Sequence, residues 1–170
     1  MKISYDKIPS GHLHPLAREG VEKIRDALSS EVVHVIREIR FAYNGKTTQE
    51  ARVVKRGKLY EIRLNFCLTD TGGCLRSRML SDEEGYLDEI RKHGGRPDPS
   101  TKVIDWDMEH AKRYACYVLL HEIGHVIYLE RYAGSRPVGK AQAREEKWCD
   151  SFSATLLKRL VPQGLCLGLR

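Results

Sequence analysis

From about Asp105 to Ala133 the chain carries Cys116, Val118, Leu119, Leu120, Ile123, Val126, Ile127 and Leu129, which together cover nearly every side of a helix. A helix that is apolar all round is buried all round, so the remaining residues must be arranged to enclose this one. Yet the same stretch contains His121, Glu122 and His125. Three polar side chains on a buried helix are costly unless a shared partner satisfies them.

These residues belong to the pentapeptide His121-Glu122-Ile123-Gly124-His125, a match to H-E-x-x-H. Residues four apart share one face of a helix, so both imidazoles can reach one cation, and zinc is the ion suited to that donor type. Glu122 then stands beside the metal, placed to take a proton from a water molecule whose pKa the ion lowers. Gly124 points the same way, because a glycine inside a helix costs about 1 kcal/mol against alanine and marks a close backbone approach.

A catalytic zinc ion keeps three protein ligands and an open position. No histidine follows His125, and Tyr128 and Arg131 occupy the places of the glycine and third histidine in the longer H-E-x-x-H-x-x-G-x-x-H pattern. The third ligand is therefore sought among downstream carboxylates or a thiol. On a last helix, from about Ala141 to Leu160, Glu146 and Asp150 have the spacing that puts two carboxylates on one face. Glu146 is expected to bind the metal and Asp150 to accept a hydrogen bond from the free ring nitrogen of a ligand histidine. Glu145 is an alternative ligand, one helical position away, and Cys149 a further one. Trp148, Phe152 and Leu156, at i, i+4 and i+8, are expected to turn into the core.

H-E-I-G-H followed some twenty residues later by E-x-x-x-D resembles the gluzincins. The run Glu146-Lys147-Trp148-Cys149-Asp150-Ser151-Phe152-Ser153-Ala154-Thr155-Leu156-Leu157 is similar to the E-x-x-A-[DN]-x-F-A-x-x-L-L-x-P signature of ImmA/IrrE-type metallopeptidases, with Cys149 and Ser153 in place of alanines and Arg159 near the position of the proline. The resemblance covers about residues 110 to 160. It implies a zincin-like α+β fold, one Zn²⁺ per chain held by His121, His125 and Glu146, and limited cleavage of a protein substrate.

Upstream, the spacing of Leu16, Val21, Ile24, Ala27 and Leu28 predicts an amphipathic helix over 15–28. Residues 31–43 are rich in β-branched and aromatic types and run into Asn44-Gly45, a hairpin-turn signal. A three-stranded meander is expected, its second strand in residues 49–56 and its third, from Tyr60 to Leu68, following Gly57-Lys58. By analogy with zincins, that third strand is where an extended peptide would add. Arg52, Lys55, Arg56, Lys58 and Arg63 cluster on the second and third strands, where they solvate a sheet face or steer an acidic partner. Residues 70–80 read as a loop, 82–93 as a short helix stopped at Gly94-Gly95, and Pro97 and Pro99 as an irregular connection.

The remaining histidines and tyrosines are less telling. His12 and His14 are read as exposed and His110 as a surface residue; Tyr114, Tyr117, Tyr128 and Tyr132 include donors that could stabilise a tetrahedral intermediate, though most pack.

A chain of 170 residues is expected to form one domain over 1–170 with no disulfide staple, since such a length buries roughly 70% of the unfolded surface. Five cysteines without regular spacing suit reduced thiols. No apolar run reaches the ~20 residues of a membrane span, and no apolar export segment follows Met1. A cytoplasmic protein is expected, without membrane association. A net charge of +6 admits weak nucleic-acid association but comes with no nucleic-acid motif. The sequence expectation is thus a zinc-dependent peptidase acting on a protein or peptide, with a zincin-like metal-dependent regulator that binds without cutting as the alternative; it does not address oligomeric state.

Overall fold

A computed structural model describes residues 1–43, 49–133 and 139–163 of the chain. The fold is mixed α+β, with two small sheets and, among the described residues, five α-helices.

The first sheet holds β1 (Lys2–Tyr5), β3 (Ile36–Phe41), β5 (Leu59–Leu64) and β4 (Ala51–Arg56), in that spatial order. β1, β3 and β5 run parallel, and β4 pairs antiparallel with β5. The expected meander is therefore corrected: β3 and β4 do not pair, because β5 lies between them. The reason is composition. β5 buries Tyr60, Ile62 and Leu64 almost completely and so fits an interior position, whereas β4 exposes Arg52, Lys55 and Arg56, which suit and protect an edge. Asn44-Gly45 lies outside the described residues. The turn at Gly57, with φ of 64°, does join β4 to β5 as expected.

Residues 31–35 also differ from the expectation. They belong to a short helix, α2 (Ser30–Val35), which follows α1 (Arg18–Asp26). Pairing of β3 with β5 starts at Ile36 opposite Tyr60, and β5 starts at Leu59, so residues 31–35 have no strand to pair with. Deprived of a ladder, the β-branched run satisfies its backbone within a helical turn.

The second sheet is antiparallel, ordered β2 (His12–Leu13), β6 (Leu68–Thr71), β7 (Cys74–Arg78), β9 (Val103–Trp106) and β8 (Arg96–Asp98). Of residues 70–80, expected as a loop, all but the last two instead belong to the β6–β7 hairpin, whose strands end at Arg78. Gly72 and Gly73 both have positive φ, as a two-residue primed turn requires, and Asp70 Oδ1 accepts a hydrogen bond of 2.9 Å from Gly73 N. Pro97 is tolerated because β8 is an edge strand. Between the strands of this sheet, α3 (Glu84–Lys92) ends at Gly94, as expected.

The central helix α4 (Met108–Tyr128) starts at Asp107, whose side chain accepts from His110 N at 2.9 Å, and continues into a wider π-helical turn at Leu129–Ala133. Glu130 in that turn accepts a 2.7 Å hydrogen bond from the Tyr60 hydroxyl. Of α4, Leu119, Leu120, Ile123 and Val126 are essentially inaccessible. The final helix α5 (Lys140–Leu160) packs along α4. Its buried face carries Glu145, Cys149, Ser153, Leu156, Leu157 and Leu160, so the expected stripe is rotated: Leu156 is in the core, but Trp148 and Phe152 are only half-buried. The four described cysteines are free thiols, and among the described residues no helix is long and apolar enough to cross a membrane.

Candidate metal centre

Where α4 and α5 come closest, Gly124 faces Cys149. A Cβ built on Gly124 would stand 3.2 Å from the Cα, Cβ and Sγ of Cys149, so only glycine lets the helices approach this far without displacement. This approach brings the polar residues of the two helices together.

His121 and His125 project from α4 with their Nε2 atoms 3.1 Å apart. Glu146, from α5, places Oε2 at 3.2 Å from His121 Nε2 and 3.5 Å from His125 Nε2. Each histidine is held from behind. Asp150 Oδ1 is 2.9 Å from His121 Nδ1, and Glu145 Oε1 is 2.7 Å from His125 Nδ1. A carboxylate only accepts, so each ring carries its proton on Nδ1 and turns Nε2 inward.

Three atoms with lone pairs thus converge within 3.5 Å of one another. Such a triangle is repulsive unless a cation sits among its members, either a proton or a metal ion. The surroundings of the two rings favour a proton there. Burial pushes His121 down, but hydrogen bonds to Asp150 and Glu146, with the charge of Glu122, outweigh it and lift the ring to about 9. His125 is raised against the same burial by Glu146 and Glu145. Hydrogen bonds from His121 and His125 hold Glu146 far below the ordinary carboxylate range, and His121 also lowers Asp150.

The donor set fits a metal ion equally well. A four-coordinate zinc ion with bonds of about 2.0–2.2 Å separates neighbouring ligand atoms by about 3.3–3.6 Å, and the triangle, with sides of 3.1, 3.2 and 3.5 Å, is within about 0.2 Å of that spacing. His121, His125 and Glu146 could therefore hold one ion.

Beside the triangle lies a cleft of about 350 Å³, bordered by Glu50, Tyr86, Tyr117, His121, Glu122 and Asp150. A second hollow of about 230 Å³ shares Glu50 and Leu80 with it and extends past Asn65 and Phe66 toward the second sheet. At the junction, the Glu50 carboxylate accepts hydrogen bonds from Tyr86 and Tyr114, which fasten the start of β4 to α3 and α4. Burial raises the pKa of Glu50, against the pull of these two hydroxyls.

Comparison with protein-family models, with curated proteins and with solved structures returned no match.

The site therefore stands on its own geometry. Glu146 is at the triangle, and Glu145 is one position round the helix, behind His125. Cys149 is buried in the helix contact, its thiol pushed up in pKa by desolvation. Of the four tyrosines singled out as donors, Tyr114 and Tyr117 border the cleft, whereas Tyr128 and Tyr132 pack around Trp148. His110 is exposed, as expected, and donates its backbone N–H to Asp107, the residue that caps α4. His12 borders the far end of the second hollow, and His14, read as exposed, packs against Tyr5 and Phe41.

Two contacts escaped sequence reasoning. Glu145 accepts from His125, whereas the sequence suggests it only as an alternative ligand, although a glutamate in the same stripe as Cys149 and Ser153 signals a buried acceptor. The Tyr117 hydroxyl donates to the same Asp150 oxygen as His121, at 3.0 Å; its position four residues before His121 was the available signal.

Proposed function

We propose that this protein is a zincin-like zinc metallopeptidase that makes limited cuts in a protein or peptide substrate. The observation that carries the reading is the inward-facing triangle of His121 Nε2, His125 Nε2 and Glu146 Oε2 at tetrahedral spacing, with Glu122 bordering the same cleft. A structural site would have no use for that carboxylate or for an adjoining cleft. Zn²⁺ bound there would supply a Lewis acid and make water acidic enough to be deprotonated near neutral pH. Glu122 is the base: it takes the proton of the attacking water and passes it to the leaving amine. Asp150 and Glu145 fix the rings of His121 and His125, and Tyr117 steadies Asp150.

The edge strand suits an extended peptide. Both edges of β5, the strand expected to take the peptide, are occupied; β1 and β4 are the edge strands of that sheet, and of these it is β4 that begins at the cleft, with Ala51 on its border. Strand addition there would lead a peptide toward Glu122.

The test is metal content followed by proteolysis. One zinc per purified chain is expected, lost in His121→Ala and Glu146→Ala, with cleavage of unfolded casein that Glu122→Gln abolishes while retaining zinc. A chain that binds no zinc would overturn the reading. Zinc retained without cleavage of casein or of a peptide library would instead leave a metal-dependent binding protein.

A further inference from the structure

On the side of α5 away from the metal centre, the molecule carries a groove of about 530 Å³. Its floor is apolar, formed by Leu28 and Val32 from the α1–α2 junction, Ile127 from α4, and Trp148, Phe152 and Leu156 from α5. At roughly 100° per residue Trp148 and Phe152 lie about opposite Glu146 and Asp150, with Leu156 about a quarter-turn to one side, so groove and cleft use different faces of one helix. Trp148 and Phe152 stack on each other with ring centroids 5.4 Å apart, and Tyr128 and Tyr132 extend the aromatic surface, Tyr132 being 65% exposed. An apolar surface of this kind, left uncovered by the described residues on a helix that could have turned polar residues outward, marks an interaction site.

Charge says what fits. Among the described residues the groove is bordered by Arg131 and Arg159 and by no carboxylate, the nearest being Glu31 and Glu130 in a smaller hollow beyond Arg131, where Glu130 is taken up by the Tyr60 hydroxyl. All three acids of α5, Glu145, Glu146 and Asp150, are engaged with His121 and His125, while its other charged residues, Lys140, Arg144, Lys147, Lys158 and Arg159, are cationic and exposed. Arg159 also reaches the Ala27 carbonyl at 3.4 Å across the groove end. Shape narrows it further. From Trp148 to Arg159 the groove runs about 16 Å along α5, three turns of helix. Its walls are helices and one turn, with no strand edge to which an extended segment could add. A second copy of this chain is disfavoured, because a two-fold contact of this face with itself would gather the arginines of both copies in one interface.

We infer that this groove docks an acidic amphipathic helix of a partner protein, with the apolar stripe on Trp148, Phe152 and Leu156 and its flanking carboxylates on Arg131 and Arg159. Docking is independent of the metal centre and of the proposed peptidase activity.

The probe is a fluorescein-labelled helical peptide of alanine, leucine and glutamate, with leucines at i, i+3, i+4 and i+7 and glutamates on the flanks, titrated with the full chain and followed by anisotropy. Saturable binding that weakens in high salt is expected, with none for the same peptide carrying lysine in place of glutamate. Arg131→Glu combined with Arg159→Glu should weaken binding by at least about tenfold, and Thr155→Trp, which fills the groove from an exposed position, should abolish it with the melting temperature unchanged. No binding of the acidic peptide, or binding that survives the double reversal, would overturn the inference. So would tighter, competing binding of a single-stranded oligonucleotide or of phosphatidylserine vesicles lost in the same double variant, or a dimer that Thr155→Trp dissociates.

Discussion

Replacing Gly124 with alanine tests whether a single missing side chain sets the spacing of the candidate metal centre. The new Cβ would lie 3.2 Å from Cys149 Cα, Cβ and Sγ, where carbon contacts are optimal at about 3.5–4.0 Å. The backbone atom cannot swing aside, so α4 and α5 must separate by about 0.5 Å. Alanine gains about 1 kcal/mol over glycine in a helix, and overpacking a core costs about 1–3 kcal/mol, leaving a net loss of about 0–2 kcal/mol. Gly85 is the reference: it is in α3 with nothing within 4 Å of a built Cβ, so Gly85→Ala should stabilise by up to about 1 kcal/mol. In chemical denaturation the two variants should therefore move in opposite directions. The same separation stretches the 3.5 Å span between His125 and Glu146 and should weaken zinc binding about tenfold, at the low end of what loosening a ligand's support costs. Zinc affinity can be read by competition with a chromogenic chelator. Gly124→Ala that stabilises as much as Gly85→Ala, with zinc affinity unchanged, would refute the claim that this glycine sets the helix spacing.

Three further outcomes are expected. Asp150→Ala and Glu145→Ala each leave one ligand histidine without its acceptor and should weaken zinc affinity about 10- to 100-fold without abolishing it; an effect as complete as that of Glu146→Ala would mean that the roles are misassigned. Removing zinc with a chelator should lower the melting temperature, since an ion at 100 times its dissociation constant adds about 2.7 kcal/mol, and Glu146→Ala should be insensitive to the chelator. The third concerns His14, whose pKa burial holds below the ordinary value, against the backbone and charge of Asp6. Above the unfolded pKa of about 6.5 the ring is neutral in both states. As pH falls from there toward the lower folded value, the unfolded chain binds a proton that the folded chain does not, so stability is lost. His14→Phe should flatten the fall in denaturation midpoint below pH 6.5 relative to the unmodified chain; an unchanged slope would show that His14 is not the group responsible.

What the sequence determined by itself was local. The four-residue spacing of His121 and His125, the continuous apolar cover of α4, and the glycine that ends α3 are consequences of helix geometry within one segment, and they need no knowledge of distant neighbours. What it left undecided depended on partners far along the chain. Residues 31–35 are suited to a strand but have no facing strand before Ile36, and most of residues 70–80, which read as a loop, became strands because β2 and β9 supply ladders on either side. The order of β3, β5 and β4 follows from a competition between strands for an interior position, which no single strand's alternation reveals. The same holds at the candidate centre. Glu145 and Glu146 are adjacent on α5, and only the packing of α5 against α4, with Gly124 facing Cys149, turns one toward the candidate triangle and the other behind His125. Trp148 and Phe152 line a groove instead of the core, because a helix has one innermost face, and here it is given to Glu145, Cys149 and Ser153.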